Sequence, residues 1–503
     1  MVIRAMVVIG VLASKALGTD PVFEVSFDAS VRDAAATGRL VVYLIGEGSR
    51  ENAHADPADG PFFDDPQPMF GISVTDLRPG EKAVVDNAAT GFPVNLNGLP
   101  AGAYRVQAVL DLHREDSSWK REEGNLYSEV VSLRLNEVDA PERHAIKLTK
   151  AVKARPFPGV PGVEELTVRS ALLSAFHGRE VVLKAGVRLP RGYGAAGSKR
   201  FPTVYEVPGF GGDHHDASEG PHPLGGAAFW VVLNPESGNG HTLFADSANN
   251  GPWGRALVEE LIPALEAKYR MIPEAGARVL RGHSSGGWST LWLLLNYPGT
   301  FGATWSTSPD PVDFRRFQIV DIYSDANAFV DVAPPQRGGK ERPSYRRDGR
   351  ERMTIRQENM MEEVLGPDNT SGQQWDSWFA VFGPRNERGN PAALFDLTGT
   401  IDRGVAERYR AYDIGELVRG NRERYAPLFH ERVRLIVGDA DNYYLNEAVA
   451  LVKAEVGARA GEGRGYIKVL PGLDHGTVFM SPEMRGIPSE IMDHFRRAGY
   501  VAP

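Results

Sequence analysis

VLRGHSSGGWSTLWLLL, residues 279–295, decides the fold. A short apolar run ends in Gly282-His283-Ser284-Ser285-Gly286, and a second apolar run begins at once. The pentapeptide is G-x-S-x-G with Ser284 at its centre. A serine on a tight strand-to-helix bend sits in a strained backbone region. Flanking side chains would clash there, so glycine stands two before and two after it. ARVL ahead of the bend predicts a strand, and STLWLLLNY after it predicts a buried helix whose N-terminus favours negative charge at the site. In a chain with 55 glycines the pentapeptide alone carries little weight. Its place between strand and helix makes Ser284 the candidate nucleophile. Ser285 is the rival and lacks the symmetric glycines.

Working outward, VVLKAGVRLP, PTVYEVPG, AAFWVVLNP, RVRLIVGDAD and GYIKVLPG are further strand-like runs. Helical segments lie between several of them. In PWGRALVEELIPALEAKYR, Leu257, Leu261, Ile262, Leu265 and Tyr269 share one face at a period of 3.6. Strands alternating with helices predict an α/β fold, a doubly wound and mostly parallel sheet with its active site at the carboxyl ends of the strands.

A serine hydroxyl needs a base. In such a sheet the chain order is nucleophile, acid, histidine. Of twelve histidines, only His475 and His494 follow the last predicted strand. His475 lies in the loop LPGLDHGTVF, within reach of the sheet edge; His494 lies in a terminal helix. His475 is the candidate base. The acid belongs after the preceding strand, where RVRLIVGDADNYYL offers Asp439 and Asp441. Asp441 is preferred because Gly438 lets the chain turn before the carboxylate is presented. Asp439 is the alternative, expected to cap a turn. DADN also opens like a calcium loop, but the sixth-position glycine is missing and Tyr443 takes the fifth, so that reading fails.

Acyl transfer also needs donors for a developing oxyanion. The amide of Ser285 is one. The second is expected in VPGFGG, where Phe210 N–H is the first choice and Gly211 the second. His214, His215 and Asp216 follow and raise the alternative of a metal-dependent hydrolase. Adjacent residues rarely point at one ion, so they are expected to form a polar wall, with no metal and no cofactor.

The remaining chain divides by composition. Residues 22–149 hold short runs of period two (VFEVSF, LVVYLI, YRVQAVLDL, EVVSLRL) separated by turn-rich stretches. They predict a small antiparallel β-sandwich as an accessory domain over 19–152. KARPFPGVPGV, residues 153–163, is the expected linker, and 164–503 the catalytic domain. The interval at about 311–430 is longer than ordinary connections. It contains the basic piece PPQRGGKERPSYRRDGRER, expected as a solvated loop, and the aromatic piece GQQWDSWFAVFG, with Trp375, Trp378 and Phe379 expected to pack. Together they are candidates for a lid or wall.

MVIRAMVVIGVLA at the start, with Ala16-Leu17-Gly18 behind it, has the pattern of a signal peptide over 1–18 and is too short to span a bilayer. The expected location is secreted or periplasmic. The net charge of −9 argues against nucleic acid as a partner, and the absence of cysteine removes disulfides, thiolate catalysis and Cys-type zinc sites.

From about Leu166 onward the chain resembles the esterases of the esterase D type within the α/β-hydrolases, a group that includes feruloyl, acetylxylan and enterochelin esterases. The resemblance rests on VVLKAGVRLPRGY, VPGFGG, DSANNGPWGRALVEELIPALEAKYR leading into RGHSSGGW, VGDADNYYL and LDHG. It implies Ser284, Asp441 and His475 as a triad, and hydrolysis of a carboxylic ester through an acyl-enzyme without a metal. The expected substrate is a small acyl ester or an acylated glycan. A serine peptidase on the same fold and a non-catalytic glycan-binding protein are the alternatives.

Overall fold

The computed structural model describes residues 20–112, 115–137, 142–331, 339–458 and 463–502. The expected signal peptide lies outside them. The chain forms two compact units, Met1–Leu112 with Leu126–Ala151, and His113–Asn125 with Val152–Pro503. Composition alone predicts one domain over 19–152. His113–Asn125 instead belongs with the second unit, because its backbone finds partners there: Ser117 N–H donates to Glu236 Oε2 at 3.0 Å and Gln373 Nε2 donates to Ser117 O at 2.9 Å.

The first unit holds β1 (Val22–Phe27), β2 (Ala36–Gly46), β3 (Met69–Leu77), β4 (Ala83–Val85), β5 (Thr90–Phe92), β6 (Gly102–Asp111), β7 (Leu126–Ser128), β8 (Val131–Leu135) and β9 (Arg143–Ala151). They hydrogen-bond along one path, β4-β1-β9-β7-β6-β2-β3-β5, with β8 on β6. The pairs are antiparallel except β1 with β9, which run parallel. This differs from the all-antiparallel expectation, since period two fixes which face a residue takes but not the direction of its neighbour. Alternate residues, Phe23, Val25 and Phe27 on β1, Leu40, Val42 and Leu44 on β2, and Val106, Ala108 and Leu110 on β6, enter one core.

The second unit is built on β10 (Val163–Arg169), β11 (Val182–Arg188), β12 (Thr203–Val207), β13 (Phe229–Leu233), β14 (Arg278–His283), β15 (Ala303–Thr307), β16 (Val433–Gly438) and β17 (Tyr466–Leu470). Their order is β10-β11-β13-β12-β14-β15-β16-β17. The first two pairings are antiparallel and the other five parallel. Neighbouring residues feed different cores. Val204, Trp230, Val232, Val279, Trp305 and Ile436 meet α5 (Pro482–Arg497). Tyr205, Val231, Leu280, Leu435 and Val437 meet α1 (Ser285–Asn296) and α4 (Leu445–Val456). Fully buried strands such as FWVVL therefore read as unbroken apolar runs. Chain order reverses around β12, and the loops after β12, β14, β15, β16 and β17 emerge at the carboxyl ends, where open sheets form crevices.

The 311–430 interval carries α2 (Ile355–Leu365), α3 (Gln374–Phe382) and further helices at Arg403–Tyr409, Ile414–Gly420 and Arg422–Arg432. Trp375, Trp378 and Phe379 on α3 are buried in the main core, as packing residues. The basic piece departs from its expected form. Its described part makes an antiparallel hairpin, Pro343–Arg347 with Arg350–Thr354, turning at Asp348 (φ 50°) and Gly349 (φ 70°). Ser344 within it is fully buried. Among the described residues no helix is long and apolar enough to cross a membrane.

Candidate active site

Ser284 sits between β14 and α1 with φ 56° and ψ −125°. A non-glycine residue holds such a conformation at a cost of about 1–3 kcal/mol, and only where its surroundings enforce it. Here Ser284 N–H donates to Thr307 O on β15 at 3.0 Å, and Ser284 O accepts from Trp288 N–H at 3.0 Å. The glycines are required by backbone approach. A Cβ at Gly282 would lie 2.2 Å from Gly286 O, and one at Gly286 would lie 2.0 Å from Val207 O and 2.5 Å from Pro208 O. Backbone cannot yield as a side chain does. Gly286→Ala is therefore expected to destabilise the protein by about 3 kcal/mol or more, read as a lowered thermal midpoint or loss of soluble protein.

The rival Ser285 is fully buried, and its Oγ donates to Asp310 Oδ2 at 2.7 Å. Its hydroxyl is thus engaged, and its amide stands at the start of α1.

The loop after β12 packs against the bend. A Cβ at Gly209 would lie 3.2 Å from His283 O and 3.4 Å from Ser284 Cβ. Gly212 N–H donates to Gly209 O at 3.0 Å, closing a turn in which Gly211 takes φ 80°. Phe210 stands in that turn, half-buried. The loop is pinned at two carbonyls: Arg121 donates to Gly211 O, and His241 Nε2 lies 3.0 Å from Pro208 O. Burial pushes His241 down to about 4, so its ring is neutral at neutral pH.

Asp441 and His475 meet. Asp441 is fully buried, and its Oδ2 lies 2.8 Å from His475 Nδ1. Its Oδ1 accepts from Tyr443 N–H at 2.9 Å and Leu445 N–H at 3.4 Å. Asp439 takes a different task and accepts from Gly472 N–H at 2.7 Å. His475 N–H donates to Asn442 Oδ1 at 3.0 Å. Burial disfavours the charged ring of His475. The charge and hydrogen bond of Asp441, with the charges of Asp310 and Asp474, outweigh it and raise the imidazole above its ordinary value. His283 packs on this ring at 4.4 Å between centroids and is itself held well below the ordinary value, first by burial and then by the charge of His475. His494 lies elsewhere, on α5, with Nε2 2.8 Å from Gly276 O.

Two parts of the site escaped the sequence reading. The first is Arg346, in the hairpin. Its Nε donates to Asp441 O at 2.9 Å and its N–H to Asn442 O at 2.9 Å, while Asn442 Nδ2 donates back to Arg346 O at 2.7 Å. The hairpin thus holds the loop that carries Asp441. Asp348-Gly349, a two-residue turn signal, marks it in the sequence. The second is Asp310, after β15. It is 2% exposed, and its Oδ1 accepts from Ser284 Oγ at 3.4 Å.

The polar wall at 213–215 differs in membership from the expected trio. Ligand atoms of Asp213, His214 and His215 lie within 4.8 Å of one another, and Asp213 rather than Asp216 is the third member. Asp213 already pairs with Arg155 and Arg121, and His214 Nε2 lies 2.9 Å from Glu165 Oε1. These cations satisfy the anionic member of the group.

Residues 182–388 match the Esterase family model, described as "Putative esterase". No curated protein matches the sequence. Among solved structures the chain is similar to a ferulic acid esterase, at 13% identity and TM-score 0.39, covering 66% of this chain and 98% of that one. It is also similar to an S-formylglutathione hydrolase from Agrobacterium tumefaciens, at 13% identity and TM-score 0.37, covering 67% and 97%. A third is the fluorophosphonate-binding serine hydrolase F of Staphylococcus aureus, at 12% identity and TM-score 0.37, covering 65% and 97%.

Proposed function

We propose that this protein, whose residues 182–388 match the Esterase family model, is a carboxylic ester hydrolase that works through a Ser284–His475–Asp441 triad on a small acyl ester or an acylated glycan. The observation that carries the triad is the 2.8 Å contact between buried Asp441 and His475, two residues presented by successive loops at the sheet edge that also carries Ser284. Ser284 Oγ attacks the ester carbonyl as His475 Nε2 takes its proton. The amides of Ser285 and Phe210, with Gly211 as the second choice, receive the oxyanion. Collapse breaks the bond to the alcohol, which leaves with the proton from His475. Water, deprotonated by the same ring, then releases the acid and restores Ser284.

His475 must be neutral to act as base. Because its carboxylate neighbours raise it, kcat/KM is expected to fall on acidification through an apparent pKa above the ordinary imidazole value, while a group lowered by burial would place the limb below it. Hydrolysis of p-nitrophenyl acetate and of acetylated sugars across pH 5–9 tests the reading. Turnover of both, with that limb, is the expected result. Turnover of dipeptidyl amides with none of esters would overturn it.

A further inference from the structure

Asp310 stands in SPDP, directly after β15, and nothing in the triad accounts for it. Its carboxylate gathers donors from two elements. From the nucleophile bend come Ser285 Oγ at 2.7 Å and Ser284 Oγ at 3.4 Å; from α3 come Trp378 Nε1 at 2.8 Å and Gln374 Nε2 at 3.3 Å. Asp310 N–H also donates to Ser284 O at 3.2 Å. Among the described residues, this carboxylate is the hydrogen-bond partner of the Ser284 hydroxyl. Trp378 Nε1 and Gln374 Nε2 can only donate, so Asp310 Oδ2 is an acceptor, and the hydroxyls of Ser284 and Ser285 are placed to donate to an ionised carboxylate.

On the reading of Ser284 as nucleophile and His475 as base, we propose that Asp310 is a positioning residue of the reaction: a second carboxylate that holds the Ser284 hydroxyl in the free enzyme and adds its charge to that of Asp441 when His475 becomes imidazolium. The hydroxyl turns from Asp310 to His475 when an ester enters. Asp310 also fastens α3 to the first turn of α1, so the 311–430 insertion is part of the scaffold beneath the nucleophile.

The charges around the two groups set the sign. His475 faces Asp441, Asp310, Asp474 and the neutral ring of His283, with Tyr443 at its edge. Asp310 faces Ser284, Ser285, Gln374, Trp378 and His475; burial raises it, and the bonds from Ser285 and Trp378 work against that rise. Removing one of the carboxylates that favour the imidazolium makes His475 easier to deprotonate.

The test is the pH profile of kcat/KM for Asp310→Asn beside the wild type, on enzyme whose active sites have been counted with a fluorophosphonate. The expected result is an acidic limb moved down by about half a unit or more, with kcat about ten-fold lower and KM little changed. The midpoint of the limb does not depend on the fraction folded, and Asp310→Ser replaces the Asn variant if the latter is insoluble. An unmoved limb, with only a lower thermal midpoint and fewer titrated sites, would overturn the proposal and leave Asp310 a packing anchor. Failure of the wild type itself to take the fluorophosphonate at Ser284 would overturn the underlying reading, and this one with it.

Discussion

Ser284→Ala is expected to lower kcat/KM for p-nitrophenyl acetate by about five to six orders of magnitude, leaving only the residue that oxyanion donors and binding supply. The loss is chemical and not structural. Alanine accepts the same backbone strain as serine, and the bend is held by main-chain bonds to Thr307 and Trp288 that need no side chain. Among the described residues Ser284 Oγ makes one long bond, to Asp310 at 3.4 Å, so little stability depends on it. The thermal midpoint is expected within a few degrees of the wild type. A variant that keeps most of its turnover would remove Ser284 from the reaction.

Asp441→Asn is expected to lower kcat by about 10⁴-fold with the fold intact. The geometry dictates which way the amide faces. Asp441 Oδ1 accepts from the amides of Tyr443 and Leu445, so the carbonyl oxygen of an asparagine takes that place and its NH₂ turns to His475 Nδ1. A donor there forces the neutral ring to carry its proton on Nε2, the atom that has to receive one from Ser284. The base is then blocked in its tautomer and not displaced. Active-site-normalised kcat on the same ester checks it. Asp439→Asn is the control, since Asp439 serves the turn at Gly472 and is expected to cost stability more than rate.

The bend at Ser284 was legible because its chemistry leaves a local trace. Gly282 and Gly286 stand where backbone oxygens come within 2.0–2.5 Å of a would-be Cβ, and no other residue fits. Gly438 is a similar case, 2.0 Å from Leu473 O, and marks the turn before Asp439 and Asp441. The apolar runs of β13 and β16 were legible because every residue of those strands is buried, and the face Leu257, Leu261, Ile262, Leu265 and Tyr269 because its helical spacing matches the residues that enter the core. Asp310 left no trace. Its partners Gln374 and Trp378 lie more than sixty positions away, and a lone Asp between two prolines looks like a turn residue. Arg346 was hidden for the opposite reason, since basic composition suggests solvent while its bonds go to the carbonyls of Asp439 and Asp441. The parallel pairing of β1 with β9 and the membership of His113–Asn125 in the second unit depend on partners distant in the chain.

Ser284 is the residue proposed to form the acyl-enzyme. The most direct measurement is mass spectrometry of the protein after reaction with a fluorophosphonate, with ester turnover followed in the same sample. One adduct per chain is expected, on the peptide containing Ser284, appearing as activity is lost and absent from Ser284→Ala. An adduct on another serine, or full loss of turnover without any adduct, would contradict it.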